Sequence, residues 1–248
     1  MSGTMIITGS GRGIGAATAL LAARKGYAVC VNYTSRGDHA EQVVAAIRES
    51  GGTAIAVQAD VSDEEAVKRL FESAVETLGP LVVLVNNAGT TGKIGRFADV
   101  EAETLRRVLN INLLGTMLCS REAIRRMSTK ASGKGGTIVN ISSRAAHYGG
   151  PNEYVHYAAS KAAVETLTIG LASEVSSEGI RVNCVSPGVI ETEIHAEAGD
   201  AGRPQRFASQ IPMRRAGQPD EVAAAIMWLA SDEASYCSGT ILSVSGGR

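Results

Sequence analysis

The 248-residue sequence predicts an α/β fold in which one doubly wound parallel sheet of about seven strands carries helices on both faces. Short apolar runs alternate with longer amphipathic segments, which is the pattern of consecutive β-α-β units. The run at 81–85 is apolar at every position, as expected for a strand that is covered on both sides. The predicted strands are 5–8, 28–33, 53–58, 81–86, 137–141, 181–185 and 240–244.

Two predicted helices carry their own boundary signals. Ser62 precedes three acidic residues and predicts a capping box, and a Gly-Pro pair ends that helix near residue 78. Pro219 predicts the first turn of another helix, in which Met227 and Trp228 are expected to fill the core.

Length and composition indicate one domain spanning residues 1–248, without a linker. The 24 basic and 25 acidic residues are mixed along the chain, so no basic stripe is available for a nucleic acid or an anionic membrane. No apolar run reaches the ~18 residues of a membrane span. The cysteines lack a Cys-x-x-Cys pair, which favours reduced thiols in a cytoplasmic protein. They are Cys30, Cys119, Cys184 and Cys237.

A glycine-rich turn lies between the first predicted strand and a helix of small residues. This is the context of a dinucleotide-binding turn, because glycine lets backbone amides approach a pyrophosphate and the helix N-terminus attracts its charge. The spacing departs from G-x-G-x-x-G and fits Gly9-x-x-x-Gly13-x-Gly15 better. A tight turn without a ligand is the alternative. The expected cofactor contacts here are Gly9, Ser10, Gly11, Arg12, Gly13, Ile14 and Gly15.

The end of the second predicted strand favours NADP(H) over NAD(H). An acid there would bind the ribose hydroxyls and repel a 2′-phosphate, but the first acid is Asp38, several residues later. Arg12 and Arg36 can supply the positive charge that a 2′-phosphate needs, and Tyr33 and Arg36 are counted among the cofactor contacts. Alternatively, one or both arginines point into solvent, which is common in surface loops.

The pair Tyr157 and Lys161 predicts a proton-transfer device. Residues four apart share one face of a helix, so the ammonium is expected beside the phenol, where it favours the ionised form. A phenol with an ordinary pKa near 10 becomes a general acid/base at neutral pH only with such support. Tyr154 has no lysine four residues later and is expected in a substrate wall or a subunit contact.

Together with further motifs, these features resemble the classical short-chain dehydrogenase/reductase family over essentially the whole chain. The further motifs are Asn86-Asn87-Ala88-Gly89, Asn112, Ser142-Ser143, Pro187-Gly188, Ser238-Gly239 and Gly246-Gly247. The resemblance implies a single Rossmann-like domain, often a homotetramer, that binds NAD(P) and interconverts an alcohol with a ketone or aldehyde.

The resemblance also implies roles for individual residues. Tyr157 would be the general acid/base and Ser143 would hold the carbonyl oxygen. Lys161 would bind the nicotinamide ribose and lower the tyrosine pKa, and Asn112 would bend its helix around a water that relays protons. Ser143 is favoured over Ser142 because neighbouring strand residues point to opposite sides. The implied cofactor contacts are Asp60, Val61, Asn87, Ala88, Gly89, Pro187, Gly188, Ile190 and Thr192.

Two histidines, His147 and His156, lie near these motifs in sequence, but no acid-and-histidine cluster with ligand spacing accompanies them. No metal is therefore expected. Segment 191–218 is expected to be the substrate lid, because it follows the nicotinamide-contacting turn and contains flexible or kinked points at Gly199, Gly202 and Pro204.

Three functions remain open at this point. The first is an NADP(H)-dependent reductase of 3-oxoacyl thioesters, since the motifs resemble the 3-oxoacyl-carrier-protein reductases of the family. Those enzymes commonly carry an arginine near the end of the tyrosine helix, where this chain has Ser176-Ser177-Glu178. The second is a sugar, polyol or small-alcohol dehydrogenase, and the third is a cofactor-binding protein without turnover.

Overall fold

The computed structural model describes residues 3–248 and places seven parallel strands in one sheet. The strand order is β3-β2-β1-β4-β5-β6-β7, so the chain winds outward from β1 in one direction and from β4 in the other. Every predicted strand is confirmed, with ends shifted by at most two residues. The strands are β1 Thr4–Ile7, β2 Ala28–Tyr33, β3 Ala54–Gln58, β4 Leu81–Asn86, β5 Gly136–Ile141, β6 Ile180–Pro187 and β7 Ile241–Val244.

Helices cover both faces of the sheet, as predicted. One core layer joins α1, α2 and α10 to the sheet, and the layer on the opposite face joins α3, α5 and α7. The helices are α1 Gly13–Arg24, α2 Gly37–Glu49, α3 Glu64–Leu78, α4 Ala102–Leu109, α5 Gly115–Met127, α6 Ala145–Tyr148, α7 Val155–Val175, α8 Ile194–Glu197, α9 Arg203–Ala208 and α10 Pro219–Ala230. A π-helical turn, Asn110–Leu114, joins α4 to α5.

Two details of the helices differ from the sequence prediction. Asp63, not Ser62, caps α3, because its carboxylate accepts the Ala66 amide at 2.9 Å while the Ser62 hydroxyl turns to Asp60. On α10, Met227 is buried as predicted, but Trp228 is 39% exposed and does not fill the core. Successive helix residues point about 100° apart, so neighbours need not share the buried face.

None of the helices within residues 3–248 combines the length and the apolar character that a membrane crossing requires. The same part of the chain holds no group of three or more side chains able to bind a metal ion. All four cysteines are free, and burial raises the pKa of Cys30, Cys119 and Cys184 to about 12.

Candidate active site

The glycine-rich turn after β1 is fixed by polar side chains from neighbouring strands. The Gly9 amide donates to Oδ1 of Asn32 at 3.1 Å. Asn87, which follows β4, donates its side-chain amide to the carbonyls of Thr8 and Gly9, both at 2.9 Å. The Thr8 hydroxyl accepts the amides of Asn87 and Ala88, both at 3.0 Å. The carboxyl ends of β1, β2 and β4 are thus joined at one edge of the sheet.

Glycine is required in this turn for steric reasons. Gly9 has φ of +61°, and a Cβ there would lie 2.9 Å from Cα of Ala88. A Cβ on Gly15 would lie 2.6 Å from Nδ2 of Asn87. The result is a cradle of bare backbone at the start of α1, and this fits the pyrophosphate of a dinucleotide. The Ser10 hydroxyl is buried and donates to the Ile7 carbonyl at 2.7 Å.

The residues expected around the adenosine lie at the ends of β2 and β3. Tyr33 ends β2 and is half-buried, whereas Arg36 is exposed. Asp60 is exposed and accepts the amide and hydroxyl of Ser62 at 2.9 and 2.7 Å. Val61 is buried. No carboxylate lies between Tyr33 and Asp38 to repel a 2′-phosphate.

Segment 191–218 reaches back over the glycine-rich turn. An isolated parallel bridge between Ile190 and Gly217 holds its two ends together. Near its start, the methyl carbon of Thr192 lies 3.3 Å from where a Cβ on Gly13 would stand. Arg12 forms an ion pair with Glu197 of α8 at 2.5 Å. The arginine expected to meet a cofactor phosphate therefore has a carboxylate partner from this segment.

The residues predicted to be catalytic come together at the carboxyl end of β5 and the start of α7. Nζ of Lys161 lies 5.8 Å from the ring centroid of Tyr157 and donates to the Ile141 carbonyl at 2.7 Å. The hydroxyl of Ser143 lies next to the Tyr157 phenol. Tyr157 and Lys161 therefore share one side of α7, as their spacing predicts.

Asn112 lies in the π-helical turn and is fully buried. Its amide oxygen accepts the Thr90 amide at 2.8 Å, and its amide nitrogen donates to the Ser160 hydroxyl at 3.0 Å. A Cβ added at Gly89 would lie 3.4 Å from both the Asn112 amide oxygen and Nζ of Lys161. The turn thus places Asn112 beside the lysine.

The expectation that the Tyr157 pKa is lowered is wrong in this structure. Burial raises the pKa of Tyr157 above its ordinary value, and the Ser143 hydroxyl and the Arg203 charge lower it by less. Burial also lowers the pKa of Lys161 to about 8. Helical spacing predicts that the two side chains are neighbours, but it does not reveal that both are removed from water, which disfavours both charged forms.

The two serines after β5 point in different directions, as predicted. The Ser142 hydroxyl donates to Glu165 at 2.8 Å and to the Lys161 carbonyl at 3.1 Å, whereas Ser143 faces Tyr157. Of the histidines, His156 is buried with Nε2 2.9 Å from the Thr91 carbonyl. His147 is partly exposed, 3.3 Å from Glu165.

A cavity of about 520 Å³ lies between the loop after β4 and segment 191–218. Five of its eight lining residues carry a charge, two basic and three acidic. The lining residues are Lys93, Ile94, Glu153, Glu197, Ala198, Gly199, Asp200 and Arg206.

Comparison with known proteins agrees with this arrangement. A profile of the family described as Enoyl-(Acyl carrier protein) reductase matches residues 9–248. An uncharacterized oxidoreductase of Escherichia coli, YgfF, is 50% identical over 243 residues, which are 98% of each chain. The chain belongs to the short-chain dehydrogenase/reductase family.

Other short-chain dehydrogenases/reductases are similar over nearly their full length. Glucose 1-dehydrogenase 2 of Bacillus subtilis is 39% identical over 98% of this chain and 93% of its own. The 3-oxoacyl-[acyl-carrier-protein] reductase FabG of Staphylococcus aureus is 37% identical over 100% and 98%. A solved short-chain dehydrogenase/reductase of Serratia marcescens superposes with a TM-score of 0.90 at 32% identity, covering 99% of this chain and 97% of that one. The chain is accordingly an oxidoreductase that acts on CH-OH groups.

Sequence reasoning missed several residues that shape the site. Thr8 and Asn32 hold the glycine-rich turn, and Arg203 with Glu153 joins segment 191–218 to the start of α7. Asn32 stands in an otherwise apolar strand, which was the one available signal for it. Arg203 carried no signal, because an arginine in a polar segment is ordinarily exposed.

Proposed function

We propose that the protein is an NADP(H)-dependent oxidoreductase that interconverts a carbonyl with a secondary alcohol. The observation that carries the proposal is the meeting of Tyr157, Ser143, Lys161 and Asn112 at the sheet edge that also bears the glycine-rich cradle. The carboxyl edge of a parallel sheet, where the strand order reverses, is the usual place for such a ligand.

In the reducing direction, negative charge grows on the carbonyl oxygen of the substrate. Tyr157 donates a proton to that oxygen, and the Ser143 hydroxyl holds it by a hydrogen bond. Lys161, with its pKa of about 8, is suited to return a proton towards Tyr157 near neutral pH, and Asn112 orders the backbone beside it. Bound reduced nicotinamide supplies the hydride.

The remaining predicted contacts are assigned to the cofactor. Gly9, Gly13 and Gly15 form the pyrophosphate cradle, with Arg12 and Arg36 at the 2′-phosphate. The adenosine side is formed by Tyr33, Asp60, Val61, Asn87, Ala88 and Gly89, and the nicotinamide side by Pro187, Gly188, Ile190 and Thr192. The NADP(H) preference is supported by the missing acid at the end of β2 and by the two arginines.

Two experiments test the assignment, a comparison of cofactor affinities and a measurement of turnover. Cofactor-stripped protein is titrated with NADPH and with NADH, and equal or tighter binding of NADH contradicts the arginine argument. Tyr157→Phe is expected to lower turnover by a factor of about 10²–10³, the effect of one lost oxyanion donor, with NADPH affinity retained. Full turnover by this variant would refute the mechanism.

For the substrate, we propose the 3-oxoacyl thioester class first, with a sugar, polyol or small alcohol as the alternative. The first is supported by the similarity to FabG. The alternative is supported by the similarity to glucose 1-dehydrogenase 2 and by Glu178, which stands where carrier-docking enzymes place a cation and which binds Lys130 at 3.0 Å. A panel of 3-oxoacyl thioesters, ketoses, quinones and small aldehydes, followed by NADPH absorbance, separates these classes.

We further propose that residues 1–248 form one domain, that segment 191–218 is a substrate lid, and that the protein is a cytoplasmic homotetramer. The bridge between Ile190 and Gly217 supports the lid boundaries. Exposed apolar side chains at Leu109, Leu114 and Met117 support an interface along α4 and α5, and free cysteines suit the cytoplasm. Light scattering tests the tetramer, and a monomer would contradict it.

A further inference from the structure

Arg203, the first residue of α9, carries a buried positive charge in segment 191–218. Its side chain is only 6% exposed, and its two terminal nitrogens each donate to one carboxylate oxygen of Glu153, both at 2.7 Å. The Phe207 ring lies against the guanidinium, with its centroid 4.4 Å from the central carbon. A two-point ion pair together with a stacked ring fixes both the position and the plane of the guanidinium.

The guanidinium is connected to the catalytic tyrosine through one intervening ring. Nη2 of Arg203 also donates to the Tyr154 hydroxyl, and the guanidinium carbon lies 5.0 Å from the Tyr154 ring centroid. The Tyr154 ring meets the Tyr157 ring edge to face, with centroids 5.4 Å apart and planes at 87°. A continuous row therefore runs from α9 to Tyr157 on α7.

The loop after β4 is tied to the same row. The Gly95 amide donates to the Glu153 carbonyl at 2.9 Å, and the Ile94 amide donates to the Ala198 carbonyl at 3.1 Å. Three segments around the candidate site therefore meet at Glu153 and Arg203. The row is a connection between the proposed lid and the proton donor, and not an isolated surface ion pair.

We infer that Arg203, paired with Glu153 and acting through the Tyr154 ring, is a positioning residue for Tyr157. The inference rests on the proposed function, because it takes Tyr157 as the proton donor and segment 191–218 as the lid. With the lid in place, a cation and a packed ring stand against the tyrosine. Displacement of α9 removes the cation and leaves the Tyr154 ring, which lies just before α7, without its partner.

The two partners of the ion pair act on the neighbouring phenols in opposite directions. For Tyr154, burial is the largest effect and raises the pKa, while the Arg203 charge lowers the pKa and the Glu153 carboxylate raises it. For Tyr157, burial again raises the pKa and the Arg203 charge lowers it. Removing the cation leaves an unpaired carboxylate near both rings, and removing the carboxylate leaves an unpaired cation. Other charged or titratable groups face this row from the elements packed against it, and the test variants leave them and the Ser143 hydroxyl in place: Lys161, His195, Asp200 and Arg206.

Because Arg203 and Glu153 shift phenol pKa values in opposite directions, the inference can be tested without measuring turnover. The full chain is labelled with ¹³C at the ζ carbon of its 6 tyrosines, and each is titrated by NMR, with Tyr157→Phe assigning the resonance. The variants are Arg203→Met and Glu153→Gln. The matched control is Arg215→Met, because Arg215 in the same segment also binds a carboxylate, Glu221, through two contacts of 2.7 Å.

Arg203→Met is expected to raise the Tyr157 pKa by about one pH unit, and Glu153→Gln is expected to lower it. Arg215→Met is expected to leave it unchanged. Shifts in the same direction for the first two variants, or no shift in either, would overturn the inference. Glu153→Gln keeps an acceptor for Arg203, so its result decides the matter even if Arg203→Met does not fold.

Kinetics provide a second measurement once a substrate is found. Arg203→Met is expected to lower kcat about tenfold or more and to move the pH profile by the same shift, while NADPH affinity stays within about twofold. Arg203→Lys keeps the charge but loses the two-point geometry, so it is expected to restore the pKa more than kcat. Absence of turnover in the unmodified protein would refute the proposed function. The inference is decided separately, by the Tyr157 pKa values that NMR gives for the variants.

Discussion

Replacement of Lys161 by methionine is expected to stabilise the fold while abolishing turnover. Burial lowers the lysine pKa from 10.5 to about 8, a difference of about 2.5 units, which corresponds to about 3 kcal/mol against the charged form at neutral pH. The lost hydrogen bond to the Ile141 carbonyl offsets about 1 kcal/mol of that gain. The free energy of unfolding is therefore expected to rise by about 2 kcal/mol.

Calorimetry at pH 7 and fixed protein concentration measures this effect. For a chain of this length, 2 kcal/mol corresponds to a Tm increase of about 4–8 °C. The pH dependence provides the second readout: the folded protein releases the Lys161 proton at a lower pH than the unfolded chain, so its stability increases from about pH 8 to about pH 10.5. The methionine variant loses that increase.

Lys68→Met is the surface control, because Lys68 is partly exposed and pairs with Glu65, and its Tm is expected to change little. A lower Tm for Lys161→Met at pH 7 would show that the buried ammonium is stabilised by its surroundings. A slope between pH 8 and 10 that survives in the variant would show that groups other than Lys161 cause it. The assignment of a lowered pKa to Lys161 would then be wrong.

Two further predictions concern the cofactor side. Glu197→Gln removes the carboxylate partner of Arg12 and is expected to tighten NADPH binding about threefold, while the affinity for NADH stays unchanged. Fluorescence titration measures both affinities, and weaker NADPH binding would contradict competition for Arg12. Gly15→Ala places a methyl group 2.6 Å from the Asn87 amide and is expected to lower the free energy of unfolding by about 1–3 kcal/mol. In the control Gly170→Ala, the new methyl group meets nothing within 4 Å, so this variant is expected to be neutral or more stable. Equal melting temperatures of the two variants would refute the steric argument.

Much of the fold follows from local sequence. The strands are continuous apolar runs because both faces of the sheet are covered, so their positions could be predicted within two residues. The proximity of the proposed catalytic residues also follows partly from local sequence. Tyr157 and Lys161 lie four residues apart on one helix, so their proximity follows from helical spacing alone. Ser142 and Ser143 come directly after β5, which ends at Ile141.

Other features depend on contacts between distant parts of the chain. The pKa of Tyr157 depends on how completely the surrounding segments exclude water, which spacing along one helix does not contain. Arg203 is buried because Glu153 and Phe207 meet it, and these residues converge only in the folded chain. Trp228 illustrates the reverse case, since a large apolar residue on a core helix lies on its outer side.

The bridge between Ile190 and Gly217 has a consequence for how such a chain changes over evolutionary time. The bridge holds the two ends of segment 191–218 side by side, so the ends stay in place whatever residues lie between them. Insertions and exchanges within it add little closure entropy and leave the strands untouched. Under the proposed assignment, the scaffold can accept new substrates through changes in segment 191–218 alone, while the residues on β5 and α7 stay the same.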